Sequence, residues 1–486
     1  MATRDTNAGD SVYVGGRWEG TDDNISVADL AEGGVFERVS ATTPDQASAA
    51  LAAADAATVP MRESTPVDRA AWLDAIADGI EARRAELVDA IVREAGKPVA
   101  SARSEVAAAA ERFRRGVEEA RSLSGDYLRG TTASHEDWEA MVRPRPLGVV
   151  LAVTPYNYPL STTALHVAPA LAAGNAVVCK PASRTPVSGR ILAEIVADTG
   201  LPDGAFNYVP GRSSEIGDLL VGDDRVDAVA MTGSSGAGNH IADASGMVNL
   251  HMELGGNAPA VVFPDADLDA AADAATAGSF KYAGQRCSAV SRVLVHESVH
   301  DALVDRVVER AREWTGGDLF DEATDLGPLI DADQAAWVTE LIDDAVDRGA
   351  DLLVGGERRP FAPADEDDPG SFVEPTVLAN VPTDARIVRE EQFGPVAPIV
   401  PVADEAEALS VANDTDLGLD GAVFTADHDR AMRVADALDV GAVRINGAPS
   451  HGIGDVPFGG VKDSGIGREG IGYSVDSFTT SKTIVL

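Results

Sequence analysis

Apolar side chains first recur at helical spacing. Leu73, Ile76, Ile80, Leu87 and Ile91 follow one another near the helical repeat with charges on the other faces, which predicts helices across residues 66–122. Gly96 followed by Pro98 marks a break between two of them, because glycine ends a helix and proline cannot continue one. The character then changes. Glycine, threonine and charge rise through YLRGTTASHEDWEAMVRPRP, which predicts a polar two-stranded excursion over 125–147.

From Leu147 short apolar runs alternate with amphipathic ones. GVVLAV (148–153), AVVC (176–179), FNYV (206–209), AVAM (228–231), LHMEL (250–254) and AVVF (260–263) read as strands. Between them STTALHVAPALAA and PVSGRILAEIVADTG read as helices. That alternation predicts a parallel, doubly wound α/β sheet. A second α/β stretch runs from Asp267 to about Val440, with the helical runs DALVDRVVERAREW and AWVTELIDDAVDRG. The closing segment DSFTTSKTIVL reads as a strand with nothing after it to pair with. It needs a partner, either the 125–147 excursion or another subunit.

Bulk properties narrow the class. A chain of 486 residues is too long for one ordinary core. The apolar runs are too short for a membrane span, and the N-terminus lacks the charged and apolar regions of a secretion signal. A cytoplasmic location is therefore expected. Acids outnumber bases by 79 to 39, for a net charge of −40, which argues against nucleic acid and anionic membranes as partners. The acids are dispersed, as expected of a solvated surface adapted to a high-salt, halophilic cytoplasm, where self-repulsion is screened over about 3 Å at 1 M. The fold is expected to lose stability as salt is removed; a melting temperature unchanged between molar salt and dilute buffer would refute this. Cys179 and Cys287 are too few for a disulfide framework. No HExxH or CxxC spacing occurs, so no metal is expected.

Glycine-rich stretches divide into one decoy and one candidate. Gly465, Gly467 and Gly470 fit GxGxxG, but no strand precedes them and too little chain follows for a βαβ unit; they read as a turn cluster. Gly233 and Ser234, in MTGSSGAG, directly follow the AVAM strand and open a helix. Backbone amides there can approach a phosphate at the positive end of a helix dipole. Lys180 ends the AVVC strand, at the edge where open α/β sheets bind ligands. The only other lysines are Lys97, Lys281, Lys462 and Lys482.

Three further residues carry candidate chemistry. Cys287, in GQRCSA, follows a helical run and suits a tight loop. A neighbouring cation such as Arg286, or a bound cofactor, is expected to lower its pKa toward the reactive thiolate. Cys179, inside an apolar strand, is expected to be inert. Glu253 ends LHMEL beside paired glycines, where desolvation makes a carboxylate a usable base. Asn157, just past GVVLAV, can donate to an oxyanion without titrating. Read singly, Glu253 is as well explained as a capping acid and Asn157 as a turn residue.

Together these segments resemble a known family. TPYNYP, CKPAS, MTGSSGAG, ELGGNAP, GQRCS, EEQFGP and PFGGVKDSGIGREG stand in the order seen in aldehyde dehydrogenases. The resemblance runs from VYVGGRW to SKTIVL; GQRC resembles non-phosphorylating glyceraldehyde-3-phosphate dehydrogenases, and MTGSSGAG and PFGGVKDSGIGREG also look like lactaldehyde dehydrogenases. It implies Cys287 as nucleophile, Glu253 as base, and Asn157 as oxyanion donor with the Cys287 amide. It further implies a cofactor site of Thr154, Pro155, Lys180, Ser183, Gly233, Ser234, Glu391 and Phe393, and substrate contacts from Arg286, Tyr158 and His451. The implied architecture is an α/β aldehyde dehydrogenase fold. A doubly wound dinucleotide-binding domain (1–124 and 148–252) joins a catalytic α/β domain (253–445). A small β oligomerisation element (125–147 and 471–486) completes a homodimer or homotetramer, and 446–470 lines the cleft.

Two residues sharpen this picture. Many NAD-preferring relatives carry an acid at the position of Ser183, which would repel a 2′-phosphate; here Ser183 stands between Lys180 and Arg184. NADP is therefore expected to be accepted and preferred over NAD. Arg286, beside the nucleophile, suits a substrate phosphate or carboxylate. The expected substrate is a small polar 2-hydroxyaldehyde such as glyceraldehyde 3-phosphate or lactaldehyde, oxidised through a cysteine thiohemiacetal and thioester. Two rivals stand beside it: a coenzyme-A-acylating aldehyde dehydrogenase, and a non-catalytic binding protein of the same fold. The first tends to lose the hydrolytic base and the second the nucleophile, and both residues are present.

Overall fold

The computed structural model describes residues 10–361, 370–450 and 456–486. One sheet has eight strands in the order Arg17–Gly20, Asp10–Val14, Phe206–Tyr208, Ala176–Lys180, Val149–Val153, Ala228–Thr232, Asn249–Glu253 and Gly465–Ile466. Its five central strands run parallel and are largely buried by helices, so they read as unbroken apolar runs. From Val149–Val153 the chain steps outward to Ala176–Lys180 and Phe206–Tyr208. It then returns to lay Ala228–Thr232 on the other side. That reversal opens a crevice at the strand ends carrying Thr154 and Gly233, the position at which such sheets hold ligands.

The second sheet has seven strands: Asp351–Val354, Thr376–Ala379, Val396–Val402, Val290–His296, Ala258–Val262, Asp420–Phe424 and Ala442–Ile445. All pairs are parallel except the first. The AVVF run, named with the strands after Leu147 but inside the 253–445 bounds of the catalytic domain, lies in this sheet as Ala258–Val262. A short buried run specifies a strand but carries no signal for the sheet it joins. The Gly255–Gly256 turn makes the crossing: a Cβ at Gly256 would lie 2.1 Å from the Cys287 carbonyl oxygen. Each sheet has its own apolar core.

The helical reading of 66–122 resolves into Pro66–Ala82, Arg84–Ala95 and Val99–Ser122. Gly96 ends the middle helix in the left-handed region, at φ 66°. The terminal strand Thr479–Val485 pairs antiparallel with Glu139–Pro146, which pairs in turn with Asp126–Arg129. The 125–147 excursion is thus its partner within the chain. Among the described residues no helix is long and apolar enough to cross a membrane.

Candidate active site

A cleft of about 1100 Å³ lies between the strand ends of the first sheet and the loops of the second, lined by Thr154, Lys180, Glu253, Cys287 and Glu391 among others. The loop carrying Cys287 follows the helix Leu268–Phe280 and reverses abruptly. Tyr282, Ala283 and Gly284 all take left-handed backbone, at φ 55°, 49° and 72°. For the two residues with a Cβ this costs on the order of 1–3 kcal/mol each, sustained only where the surroundings fix it. Here the Tyr282 hydroxyl donates to the Ala95 carbonyl at 2.8 Å. Buried Gln285 accepts from the Ile330 amide at 2.9 Å through its side-chain oxygen. At Gly284 a side chain is excluded: a Cβ would lie 2.1 Å from the Gly394 carbonyl oxygen.

Asn157 is buried beyond the strand Val149–Val153. Its Nδ2 donates to the Gln285 carbonyl at 2.8 Å, which aims the amide at the nucleophile loop. Glu253 is the last residue of its strand, set between Thr232 and Gly465. The neighbouring Gly465 strand sits so close that a Cβ there would lie 2.2 Å from the Met252 carbonyl oxygen. The Cys287 thiol and the Glu253 carboxyl line the same cleft and are close enough to shift each other's titration. Among the described residues Glu253 Oε1 has no partner, so one oxygen is left for a water. Burial pushes the Glu253 carboxyl well above the usual carboxylate range, and the nearby Glu469 and Glu391 add to this.

The thiol corrects one expectation. Burial, Glu253, Glu469 and Glu391 all push the Cys287 pKa up, whereas Arg286 was expected to lower it. The Arg286 guanidinium turns away to donate to the Gly278 carbonyl at 2.5 Å, and carboxylates surround the sulfur in its place. Cys179 is fully buried, and burial pushes it up to about 12.

Toward the first sheet the cleft presents groups suited to a dinucleotide. Lys180 is buried, its Nζ 3.5 Å from the Pro181 carbonyl, and burial lowers its pKa to about 8. Thr154 Oγ1 is buried and without a partner among the described residues, and Pro155 lines the cleft beside it. Gly233 and Ser234 lead into the helix Ser235–Ala244, with Ser234 capping it through the Ala237 amide. Ser183 donates to the Gly211 carbonyl at 2.8 Å, while Arg184 pairs with Asp331 at 2.8 Å. Glu391 accepts from the Gly256 amide at 2.9 Å, and burial raises it to about 7. Phe393, at φ 48°, is held by Gln334, which donates to its carbonyl at 3.2 Å. An adjoining recess of about 360 Å³ is lined by Leu151, Val221, Met231 and Ile241 together with Lys180, Asp218 and His240. An under-partnered ammonium, an orphan hydroxyl and a helix start match the phosphates and riboses of a dinucleotide.

At the other mouth, Tyr158 and Arg286 share the lining with Arg112 and Lys281. His451 lies outside the described residues. Sequence reasoning missed Glu469, which lines the cleft and accepts from Thr232 at 3.4 Å. It sits in the GIGREG stretch, whose glycines serve close packing against the Glu253 strand. A motif tested only for phosphate binding hides such a carboxylate. Buried His166, 2.9 Å from Thr232 Oγ1, was also missed; a lone histidine in an apolar helix gives no signal.

The aldehyde dehydrogenase family matches residues 18–484. An NADP-dependent glyceraldehyde-3-phosphate dehydrogenase of Streptococcus equinus is 38% identical over 97% of this chain and 98% of its own. A 3-sulfolactaldehyde dehydrogenase of Priestia aryabhattai is 35% identical over 98% and 97%. The crystal structure of the NADP-dependent glyceraldehyde-3-phosphate dehydrogenase of Bacillus halodurans complexed with NADP superposes with a TM-score of 0.94 at 38% identity, covering 98% of this chain and 99% of that one. A match of this length and closeness, over a thiol, a carboxyl and an amide gathered in one cleft, means that the chain belongs to the aldehyde dehydrogenase family.

Proposed function

We propose that the protein oxidises a phosphorylated 2-hydroxyaldehyde to its acid with NADP, through a thioester on Cys287. The observation that carries this is the gathering of the Cys287 thiol and the Glu253 carboxyl in one cleft, with the Asn157 amide donating to the Gln285 carbonyl of the nucleophile loop. Lys180, Glu391, Thr154, Pro155, Ser183, Gly233, Ser234 and Phe393 would hold the dinucleotide, which supplies the hydride acceptor when bound. Glu253 takes the thiol proton as Cys287 Sγ attacks the aldehyde carbon. The oxyanion that forms is held by Asn157 Nδ2 and the Cys287 amide, donors aimed where charge develops. Once hydride has left that carbon, a thioester remains. Glu253 gives up the thiol proton to solvent and then removes a proton from water, whose oxygen attacks the thioester carbon; the Cys287 thiolate leaves, is reprotonated by Glu253, and the acid is released.

Support for an anionic substrate comes from Arg112, Lys281 and Arg286 at one mouth of the cleft in a chain of net charge −40. The relatives named above act on glyceraldehyde 3-phosphate and 3-sulfolactaldehyde, three-carbon 2-hydroxyaldehydes ending in an anion. Support for NADP is Ser183, which leaves no acid to repel a 2′-phosphate.

The test is reduced-cofactor absorbance over glyceraldehyde 3-phosphate, lactaldehyde and succinic semialdehyde, with NADP or NAD and with or without coenzyme A. The expected kcat/KM is at least about tenfold higher for the phosphorylated aldehyde than for lactaldehyde, the scale of a charge-assisted contact. Arg286→Ala is expected to erase most of that margin by raising KM. Equal efficiency on charged and neutral aldehydes, a more than tenfold preference for NAD, or a dependence on coenzyme A would each overturn the corresponding part.

A further inference from the structure

Lys97 and Glu105 form an ion pair with side chains almost wholly removed from solvent, 1% and 0% exposed. Lys97 stands in the turn between the helices Arg84–Ala95 and Val99–Ser122, and Glu105 lies on the second of these. A buried pair of this kind gains little stability over apolar side chains of the same size, because desolvation offsets most of the attraction. Its retention calls for another reason.

The contacts supply one. Glu105 binds Lys97 through Oε2. Its Oε1 accepts from the Leu160 and Ser161 amides at 3.0 and 3.1 Å. Those amides open the helix Ser161–Ala173, which has no side-chain cap from its own N-cap residue. Glu105 therefore caps it from another helix, where a negative charge also suits the dipole. The loop so anchored carries Asn157 and Tyr158. On the other side, the Lys97 ammonium lies 3.5 Å from the centroid of the Tyr158 ring and 4.4 Å from that of Tyr282. The two rings meet edge to face at 5.8 Å. Tyr158 adjoins Asn157, and Tyr282 begins the left-handed turn that delivers Cys287. A cation between two ring faces attracts both, so one ion pair grips the arm bearing the oxyanion donor and the arm bearing the nucleophile.

We infer that the Lys97–Glu105 pair is a positioning device that holds the Asn157 amide in register with the Cys287 sulfur. This rests on the reading of those two residues given above. Neither Lys97 nor Glu105 reacts; they fix the distance between groups that do. Oxyanion donors act only at hydrogen-bond range, and a displacement near 1 Å can cost about a hundredfold in rate.

The experiment is a mutant cycle in the full-length protein. Lys97→Met with Glu105→Gln removes both charges, keeps the volumes, and leaves a side-chain oxygen to cap the helix. The readout is the single-turnover rate of reduced-cofactor formation, with NADPH affinity measured by fluorescence titration. The pair of substitutions is expected to slow hydride transfer by about ten- to a hundredfold, with NADPH affinity within about twofold and KM for the aldehyde little changed. Asn157→Ala alone is expected to cost about 10²–10³. Added to the Lys97/Glu105 background it is expected to cost clearly less, because both changes act through the same amide.

Fully additive losses, or an unchanged rate in the Lys97/Glu105 variant, would overturn the positioning role. Lys97→Arg keeps the charge pair but displaces the rings. It is read in the same cycle should the double substitution not fold, with the same two outcomes deciding. A wild-type chain that turns over no aldehyde, or an Asn157→Ala variant at full rate, would instead sink the reading of the site beneath it.

Discussion

Cys287→Ala is expected to lower kcat by about 10⁴–10⁶, the range seen when a covalent nucleophile is removed. The loss is this large because the sulfur does what no neighbour can. Glu253, Glu469 and Glu391 are carboxyl groups pushed together around it; Glu253 and Glu391 are each raised by burial, and none is built to form a stable acyl bond. Direct hydride loss from a hydrated aldehyde would also need an oxyanion that no thioester chemistry then relieves. NADPH binding should persist, since the residues offered for the dinucleotide come from other loops. Two measurements check this. Turnover is followed by reduced-cofactor absorbance, and the acyl adduct is sought by intact-protein mass spectrometry after an acid quench. An adduct on the wild-type chain and none on the variant is the expected pair. Cys179→Ala provides the contrast: that thiol is shut inside a strand and raised to about 12, and its loss should leave the adduct in place. Retention of more than about 1% of turnover by Cys287→Ala would defeat the covalent route.

Glu253→Gln should separate the two halves of the reaction. Deacylation needs a base against the thioester face, and general-base help of this kind is worth about 10²–10⁴. Because Glu253 also takes the thiol proton, the variant is expected to form up to one equivalent of reduced cofactor per site more slowly than the wild type and then stall, with steady-state turnover down by that factor. A pH dependence follows with a definite sign. The Glu253 carboxyl is raised above its ordinary value by burial and by Glu469, so its base form fills at higher pH than that of an ordinary carboxylate. As pH rises through that elevated value the base form fills, and wild-type turnover should climb toward the alkaline side. In Glu253→Gln the alkaline climb of the steady state should be lost. A variant that keeps both the climb and multiple turnover would show that another group, with Glu469 first in line, serves as the base.

The fold was legible wherever the chain alternates apolar strands and amphipathic helices, because burial on both faces of a parallel sheet forces unbroken apolar runs. GVVLAV, AVVC and AVAM fall on Val149–Val153, Ala176–Lys180 and Ala228–Thr232. Sheet membership was less legible: the apolar run AVVF has the same pattern as the strands before it, and only the glycine turn at Gly255–Gly256 separates it from them. At the site, residues on strand ends were easy to nominate: Glu253, Lys180 and Asn157 all stand where a sheet meets its crevice. The electrostatics were harder. Arg286 adjoins Cys287 in sequence, yet successive side chains diverge, and the guanidinium serves a backbone carbonyl while distant acids surround the thiol. Lys97 and Glu105 gave no signal either, since a charge on a helix is ordinarily a solvated one.

The short strand Gly465–Ile466 has a consequence for biosynthesis. It lies against Met252 and Glu253, with Glu469 entering the cleft just after it, although every other strand of both sheets precedes it in the chain. A nascent chain can assemble most of its two cores while this edge of the cleft still waits in the ribosome. A chain cut short before Gly465 would carry the nucleophile yet leave the Glu253 strand uncovered on that side. Completion of the catalytic chamber thus waits on the Gly465–Ile466 strand, and products truncated before it lack one of its walls.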